Sequence, residues 1–540
     1  YNLFLADAVL GEAVRREGAE WALASLSAFG ELAGRPEVIE LGHLANRHTP
    51  RLRTHDRFGH RIDEVEFHPA WHELLRLGVE AEVHALPWND PRPGAHVARA
   101  AKHFLLTQVE AGVLCPLTMT FAAVPALRAQ PELAEEWVPR VTSKVYDSRF
   151  RPAPDKTGCL IGMAMTEKQG GSDVRANTTQ AMAAGGAGGG GEYLLTGHKW
   201  FCSAPMCDAF LTLAYTERGL TCFLVPRWLP EGGHNGFFIQ RLKDKLGNRS
   251  NASSEIEYRE TWALRLGEEG RGVPTIIEMV NHTRLDCMVG SAALMRQAVA
   301  QAMHHASHRS AFGKRLSEQP LMRNVLADLA LESEAATVLA MRVARAYDEE
   351  SAATTPERRA FRRLATAIGK YWITKRGPAV VCEALECHGG NGYVEESILP
   401  RIYREIPLSS IWEGSGNVMC LDVLRAIERD DAALPALLGE LRAARGADRR
   451  YDTFLDETEK DLARHGEIQA RARRIVERLA LALQGALLLQ HAPPCVADTF
   501  CAARLAGGAG HEYGTLPPGL DLAALARRAV PTAPTTVPAT

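Results

Sequence analysis

Three stretches of this 540-residue chain place side chains that do chemistry close together. The first is IGMAMTEKQGGSDVRANTTQA (161–181). Its hydroxyls, Thr166 and Ser172, flank Gly170 and Gly171, whose bare backbone N–H groups a ligand can approach closely. Hydroxyls with open N–H groups suit phosphate and carbonyl oxygens. The polar tail Asn177-Thr178-Thr179 reads as strand entry, not ligand contact. The second stretch is GHKWFCS (197–203). On a strand, side chains alternate faces, so Phe201 and Ser203 share one face and Trp200 takes the other. A flat ring beside a hydroxyl donor seats a planar heterocycle. The third is SSIWEGSGNVMCLDVLR (409–425), with Glu413 between Trp412 and Gly414. A carboxylate against an aromatic in a restricted cleft suits a general base. A carboxylate there also suits a helix N-terminus, as a cap. Spacing alone does not separate the two.

Other constellations carry less. His304 and His308 in MHHASHR lie one helical turn apart without a third ligand, so no metal site is expected. Cys202, near the proposed ring face, reads as a buried inert thiol rather than a redox group. GGAGGGG (185–191) lacks the Lys-Ser/Thr of a phosphate loop and reads as a hairpin tip. GGNG (389–392) follows a helical pattern, not a strand, which rejects a dinucleotide-binding βαβ unit.

These stretches need elements to hold them. Residues 5–160 show mostly helical periodicity. Short β-branched and aromatic runs between Gly and Pro turns fill about 161–265. Helical periodicity returns from Pro274 to about residue 430, in long segments joined by short turns, which argues for a bundle. The resulting division is 1–160, 161–270, 271–430, a charged helical extension at 431–510, and a Pro/Thr-rich tail at 511–540 expected to be disordered. Length alone suggests roughly three or four domains. The fold class is mainly α with a middle β domain. The formal net charge of −3 gives no global attraction to nucleic acid or membrane. No apolar run reaches the roughly 18 residues that span a bilayer. YNLFLADAVLGEAVRREGAEW lacks a basic leader and is broken by Asp7 and Glu12, so no signal peptide is expected. Eleven scattered cysteines without a CxxC fit reduced thiols in a cytoplasm.

MTEKQGGSD, GHKWFCS, RSAFGKRLSEQPLMR, GGNGY and IWEGSGN, in this order, resemble the acyl-CoA dehydrogenase flavoprotein family. FHPAWHEL, CPLTMTFAA, RLKDKLGNRSNAS and ESILPRIYREIP are similar to its AidB-like branch, associated with the adaptive response to DNA alkylation. The resemblance covers about 1–505. It implies an N-terminal helical domain, a β-barrel-like domain and a four-helix bundle with FAD between them, plus a helical C-terminal extension, in a homotetramer.

The resemblance also implies roles. Met165 and Thr166 meet the flavin ring, Ser172 its pyrophosphate, Phe201 the isoalloxazine and Ser203 the region of N5. Ser415 and Asn417 fall among the cofactor-binding positions. Arg309, Phe312, Gln319, Gly389, Gly390 and Asn391 contact the FAD of a neighbouring subunit. The implied reaction is α,β-dehydrogenation of an acyl-CoA thioester, with Glu413 as base and hydride passing to N5. Some relatives carry the base directly before the Arg of a motif like HTRLD. Here that position is Thr283, so Glu413 is the candidate and Arg284 an active-site neighbour. Trp412 narrows the acyl pocket, and the branch suggests weak action on a short branched substrate such as isovaleryl-CoA. The electron acceptor is unassigned, with electron-transfer flavoprotein as a candidate.

The alternative is a flavoprotein that binds double-stranded DNA and protects it or inactivates alkylating agents, its dehydrogenase chemistry vestigial. A third reading, a scaffold that has lost FAD, is disfavoured by the intact hydroxyl set. DNA binding needs basic charge. Arg425 and the arginines after residue 440 supply it, but acidic residues are interleaved until RHGEIQARARRIVER (464–478). On one helix Arg464, Arg471 and Arg478 would repeat on one face, with Arg474 nearby.

Overall fold

The computed structural model describes residues 1–185, 191–348, 355–464 and 466–531. Most of GGAGGGG lies outside the described residues. The chain forms two compact units, both discontinuous in sequence.

One unit comprises 36–91 and 109–283. It holds the strands β1 (Arg51–His55), β2 (Arg61–Glu66), β3 (Ile161–Ala164), β4 (Gln180–Ala183), β5 (Glu192–Ser203), β6 (Ala209–Thr216), β7 (Gly219–Pro226), β8 (Phe237–Leu242) and β9 (Ser253–Leu266). β1 and β2 pair as a separate ribbon, while β6-β4-β5-β9-β7 closes back on β6. β3 adds in parallel to β6, and β8 adds antiparallel to β9. Closure leaves few free edges. It also explains the nearly unbroken apolar runs AFLTLA and TCFLVP, which are buried along their length. The core gathers Phe210, Phe223, Phe237 and Tyr258 inside the strands. The helix Leu114–Leu127 is tied to β3 by a bond from the Ile161 N–H to the Thr120 hydroxyl, 3.0 Å.

The other unit comprises 1–35, 92–108 and 284–540. Its long helices are the part of Gly272–His308 from Arg284 onward, Pro320–Tyr347, Pro356–Glu386 and Gly416–Arg429, followed by Ala433–Arg442, Arg449–Leu462 and Ala472–His491. Pro320 and Pro356 open their helices where a missing N–H costs nothing. Thr355 and Asp448 cap the helices after them.

The tail departs from expectation. Residues 511–531 are placed, and Leu522–Ala529 is a helix capped by Asp521. Arg528 bonds Glu334 and Glu12 at 2.8 Å each, and the Tyr513 hydroxyl accepts from Arg376 at 2.7 Å. Local composition concealed ion pairs made to distant helices. The last nine residues lie outside the described set. Among the described residues no helix is long and apolar enough to cross a membrane.

Candidate functional site

In the β unit, the loop that leaves β3 is folded around one carboxylate. Glu167 closes a tight turn with Gly170, its N–H donating to the Gly170 carbonyl at 2.9 Å. Its side chain is fully buried opposite Lys199, Nζ to Oε1 2.9 Å. The Thr179 hydroxyl donates to Oε1 at 2.6 Å, and the Thr178 N–H to Oε2 at 2.7 Å. Asn177 donates to the Met165 carbonyl at 2.9 Å. The tail Asn177-Thr178-Thr179 is therefore the cradle of the loop. Burial alone raises a carboxyl pKa, but Lys199 and these donors outweigh it and bring Glu167 down to about 2. Burial pulls the Lys199 ammonium below its ordinary value, and Glu167 opposes that pull. The ionised pair is the form we stand behind, because the carboxylate has several donors beyond the lysine. The Thr166 and Ser172 hydroxyls bond no other described residue, and Ser172 is exposed.

β5 does not alternate as read. Its register with β9 slips between Lys199 and Cys202, a bulge that carries Trp200 and Phe201. The Lys243 ammonium lies 3.9 Å from the Trp200 ring centre and 4.5 Å from that of Phe201. The two rings thus reach one cation instead of facing apart, since a bulge re-aims side chains. Phe201 is 49% exposed, a large unshielded ring. Ser203 lies 3.3 Å from the Ser253 hydroxyl. Cys202 is fully buried, and burial pushes its thiol up to about 12.

In the helical unit, Glu413 lies two residues before Ser415, the N-cap of Gly416–Arg429. It is not the cap. It adopts a left-handed φ of +57°, which costs an L-residue roughly 1–2 kcal/mol. Neighbouring helices hold this backbone. Arg284 Nε donates to the Glu413 carbonyl at 3.0 Å. Lys370 Nζ donates to the carbonyls of Trp412 and Gly414 at 3.0 and 2.5 Å. Arg284 is held in turn by Asp422 at 2.9 Å, which also accepts from Arg363 at 2.6 Å. Burial opposes ionisation of Asp422, but Arg363 and Arg284 outweigh it and keep its carboxyl below the usual range. The Trp412 indole N–H is buried with no partner among the described residues. Asn417 accepts from Arg473 at 2.8 Å.

The remaining cofactor candidates sit on two neighbouring segments. Ser310–Ala311 and Lys314–Arg315 form a small hairpin, whose tip Phe312 has φ +52° and is 99% exposed. Gln319 braces it through the Ala311 carbonyl at 3.1 Å. Gly389 has φ +59°, a glycine conformation, in the turn with Gly390 and Asn391. His305, at the end of the helix leading to Arg309, packs its ring tilted against that of His388, just before that turn, with centroids 4.5 Å apart. The sequence pair His304 and His308 also touches, yet no group of metal ligands exists among the described residues.

The arginine stripe is corrected. Arg449–Leu462 and Ala472–His491 are separate helices, broken around Gly466 at φ +93°, so Arg464, Arg471 and Arg478 do not share one helix. Arg471 donates to the Asp461 side chain and to three backbone carbonyls. Arg478 lies over Phe454 and bonds Glu457. Arg464 and Arg474 are mostly exposed near Asp461, and Arg425 near Asp422.

Reading the motifs missed Glu167, Lys199, Lys370 and Asp422 as the parts that fix the site. For Lys370 and Asp422 the signal was a single charge inside an apolar run, which burial obliges to find a partner. Within the β unit the donor chemistry fits a flavin cofactor: hydroxyls on a braced glycine loop that bond no other described residue, and an unshielded ring.

Residues 1–148 match the adaptive response protein AidB N-terminal domain, 162–261 the acyl-CoA dehydrogenase middle domain, and 270–428 the acyl-CoA dehydrogenase C-terminal domain. AidB of Escherichia coli (strain K12), a protein assigned to the acyl-CoA dehydrogenases, is 47% identical over 502 residues, covering 93% of this chain and 91% of that one. Acyl-CoA dehydrogenase family member 11 of Caenorhabditis elegans is 32% identical, covering 91% and 84%. The crystal structure of Caenorhabditis elegans ACDH-11 in complex with C11-CoA superposes with a TM-score of 0.85 at 30% identity, covering 94% of this chain and 91% of that one.

Proposed function

The chain belongs to the acyl-CoA dehydrogenase family, in its AidB branch, and from that premise we propose that it oxidises an acyl-CoA across the α and β carbons with Glu413 as the base. Members of this family bind FAD. FAD, when bound, supplies the hydride acceptor. Thr166 and Ser172 offer it hydroxyl donors, Phe201 an aromatic face, and Met165 and Ser203 flank that face. Arg309, Phe312, Gln319 and the turn Gly389-Gly390-Asn391 serve the cofactor of a neighbouring copy in a homotetramer. Ser415 keeps its role toward the cofactor, whereas the bond from Arg473 supports a bracing role for Asn417.

The observation that carries the reading is the backbone of Glu413. It stands outside the helix, in a disfavoured conformation, gripped by neighbouring side chains. A capping carboxylate needs none of this, whereas a group that removes a proton must be aimed. Trp412 beside it limits the acyl chain to a short branched group such as isovaleryl. The bound C11-CoA of the Caenorhabditis elegans relative supports the thioester class. Electron-transfer flavoprotein is the acceptor we favour. Eleven scattered cysteines without a CxxC support a cytoplasmic setting.

The test is anaerobic bleaching of the flavin by acyl-CoA. Glu413→Gln should slow it roughly 10²–10⁴-fold. Bleaching as fast as the wild type would remove Glu413 from the mechanism.

A second reading, a DNA-associated flavoprotein of the alkylation response, is favoured by the AidB-type N-terminal match. A duplex affinity that falls steeply with salt supports it, and a flat dependence removes it.

A further inference from the structure

Lys370 lies inside Pro356–Glu386, and its side chain is almost fully buried, at 1% exposure. Burial pulls its ammonium below the ordinary value, with Cys287 and Glu413 acting against that pull. An ammonium is costly in such a place unless its N–H groups are used. Here two of them reach the carbonyls on either side of Glu413, those of Trp412 and Gly414. The carbonyl between them is taken by Arg284. Three consecutive carbonyls therefore end on two cations from two different helices.

The donors to these carbonyls are side chains. Helical bonding starts one residue later, where the Met419 N–H donates to the Ser415 carbonyl. Buried carbonyls must be satisfied, and in this loop the satisfaction comes from side chains. Fixing three carbonyls fixes three peptide planes. That sets φ and ψ at Glu413 and Gly414, and with them the direction of the Glu413 Cα–Cβ bond. Glu413 at φ +57° and Gly414 at φ +103° would otherwise relax.

We propose that Lys370 is the positioning residue of the candidate base: with Arg284 it clamps the backbone on both sides of Glu413 and so aims its carboxylate. The kinetic part rests on the dehydrogenase reading above. The clamp itself does not.

The experiment compares wild type, Lys370→Met, which keeps length and removes all donors, and Lys370→Arg, which keeps charge and donors. Amide hydrogen exchange over 411–416 is measured in FAD-loaded protein. So are acyl-CoA binding and the rate of flavin reduction at saturating acyl-CoA. Lys370→Met should speed exchange at 411–416 while the rest of Pro356–Glu386 stays protected. Its reduction rate should fall roughly 10²-fold, the scale of a misplaced catalytic group. The acyl-CoA dissociation constant should stay within about threefold, the signature of a lost transition-state interaction. Lys370→Arg should recover part of the rate. Unchanged exchange at 411–416, or a wild-type rate in Lys370→Met, overturns the proposal. If wild type is bleached by no acyl-CoA, the dehydrogenase reading fails, and the exchange measurement alone decides the clamp. If Lys370→Met does not accumulate, Lys370→Gln, with two N–H donors and no charge, should show intermediate exchange. Wild-type exchange in that variant overturns the clamp.

Discussion

Glu167 and Lys199 illustrate how one buried pair sets a loop. The Glu167 carboxyl is held near 2, below its ordinary 4.5. The stability its ionised form contributes is fully present above about 4.5 and is lost as pH falls through about 2. Lys199→Met removes the counter-ion and leaves a buried carboxylate, at a cost of roughly 3–5 kcal/mol. The sign of the pH dependence should then reverse. Without the lysine the carboxyl shifts upward, the folded state binds the extra proton, and stability falls as pH rises. Denaturant titrations at pH 4.5 and 8 read this directly. A variant that gains stability at the higher pH would show that Thr178 and Thr179 suffice alone.

Among the elements, apolar periodicity made the helix–β–helix order legible. Alternating burial follows from period 2, and a buried helical face from period 3.6. The break between Arg449–Leu462 and Ala472–His491 also had a visible mark in Gly466, but the seven-residue spacing of arginines outweighed it in the reading. The bulge in β5 had no such mark. It arises from pairing with β9, which no local pattern encodes. Lys370 stood out as a lone charge in an apolar run, but its role was silent, because its partners lie on another segment. The corrected arginines yield a prediction. Arg471→Ala should destabilise the extension and leave the salt slope of any duplex binding unchanged, since its guanidinium is already engaged. Arg464→Ala and Arg474→Ala should each lower that slope by about 0.9 if they meet phosphate. Equal slopes in all three variants would exclude phosphate contact there.

At the scale of the whole molecule, the exposure of three apolar side chains supports the second copy proposed above. Phe312, Leu321 and Tyr393 are each more than 80% exposed, on or beside the segments assigned to a neighbour's cofactor. A lone chain leaves these apolar groups in water, where patches of this kind mark contact sites. Phe312→Glu should lower the oligomeric mass in light scattering and release flavin on gel filtration, while each chain keeps its fold. Retained flavin in a smaller species would confine the cofactor to one chain. The tail is a second whole-molecule feature. Arg528 ties residues near the C-terminus to Glu12 near the start of the sequence, a link invisible to any window of local sequence.

The grip on the Glu413 loop has an evolutionary consequence. The bonds from Arg284 and Lys370 to this loop end on main-chain oxygens, so they do not depend on which side chain stands at 413. The position is a socket into which other groups can be exchanged. Glycine, at ease with a left-handed φ, should make the protein more stable by about 1 kcal/mol, measurable as a raised denaturant midpoint, while abolishing the proposed proton transfer. A descendant of this chain can therefore shed the chemistry without losing the architecture, and selection for stability alone would favour that loss.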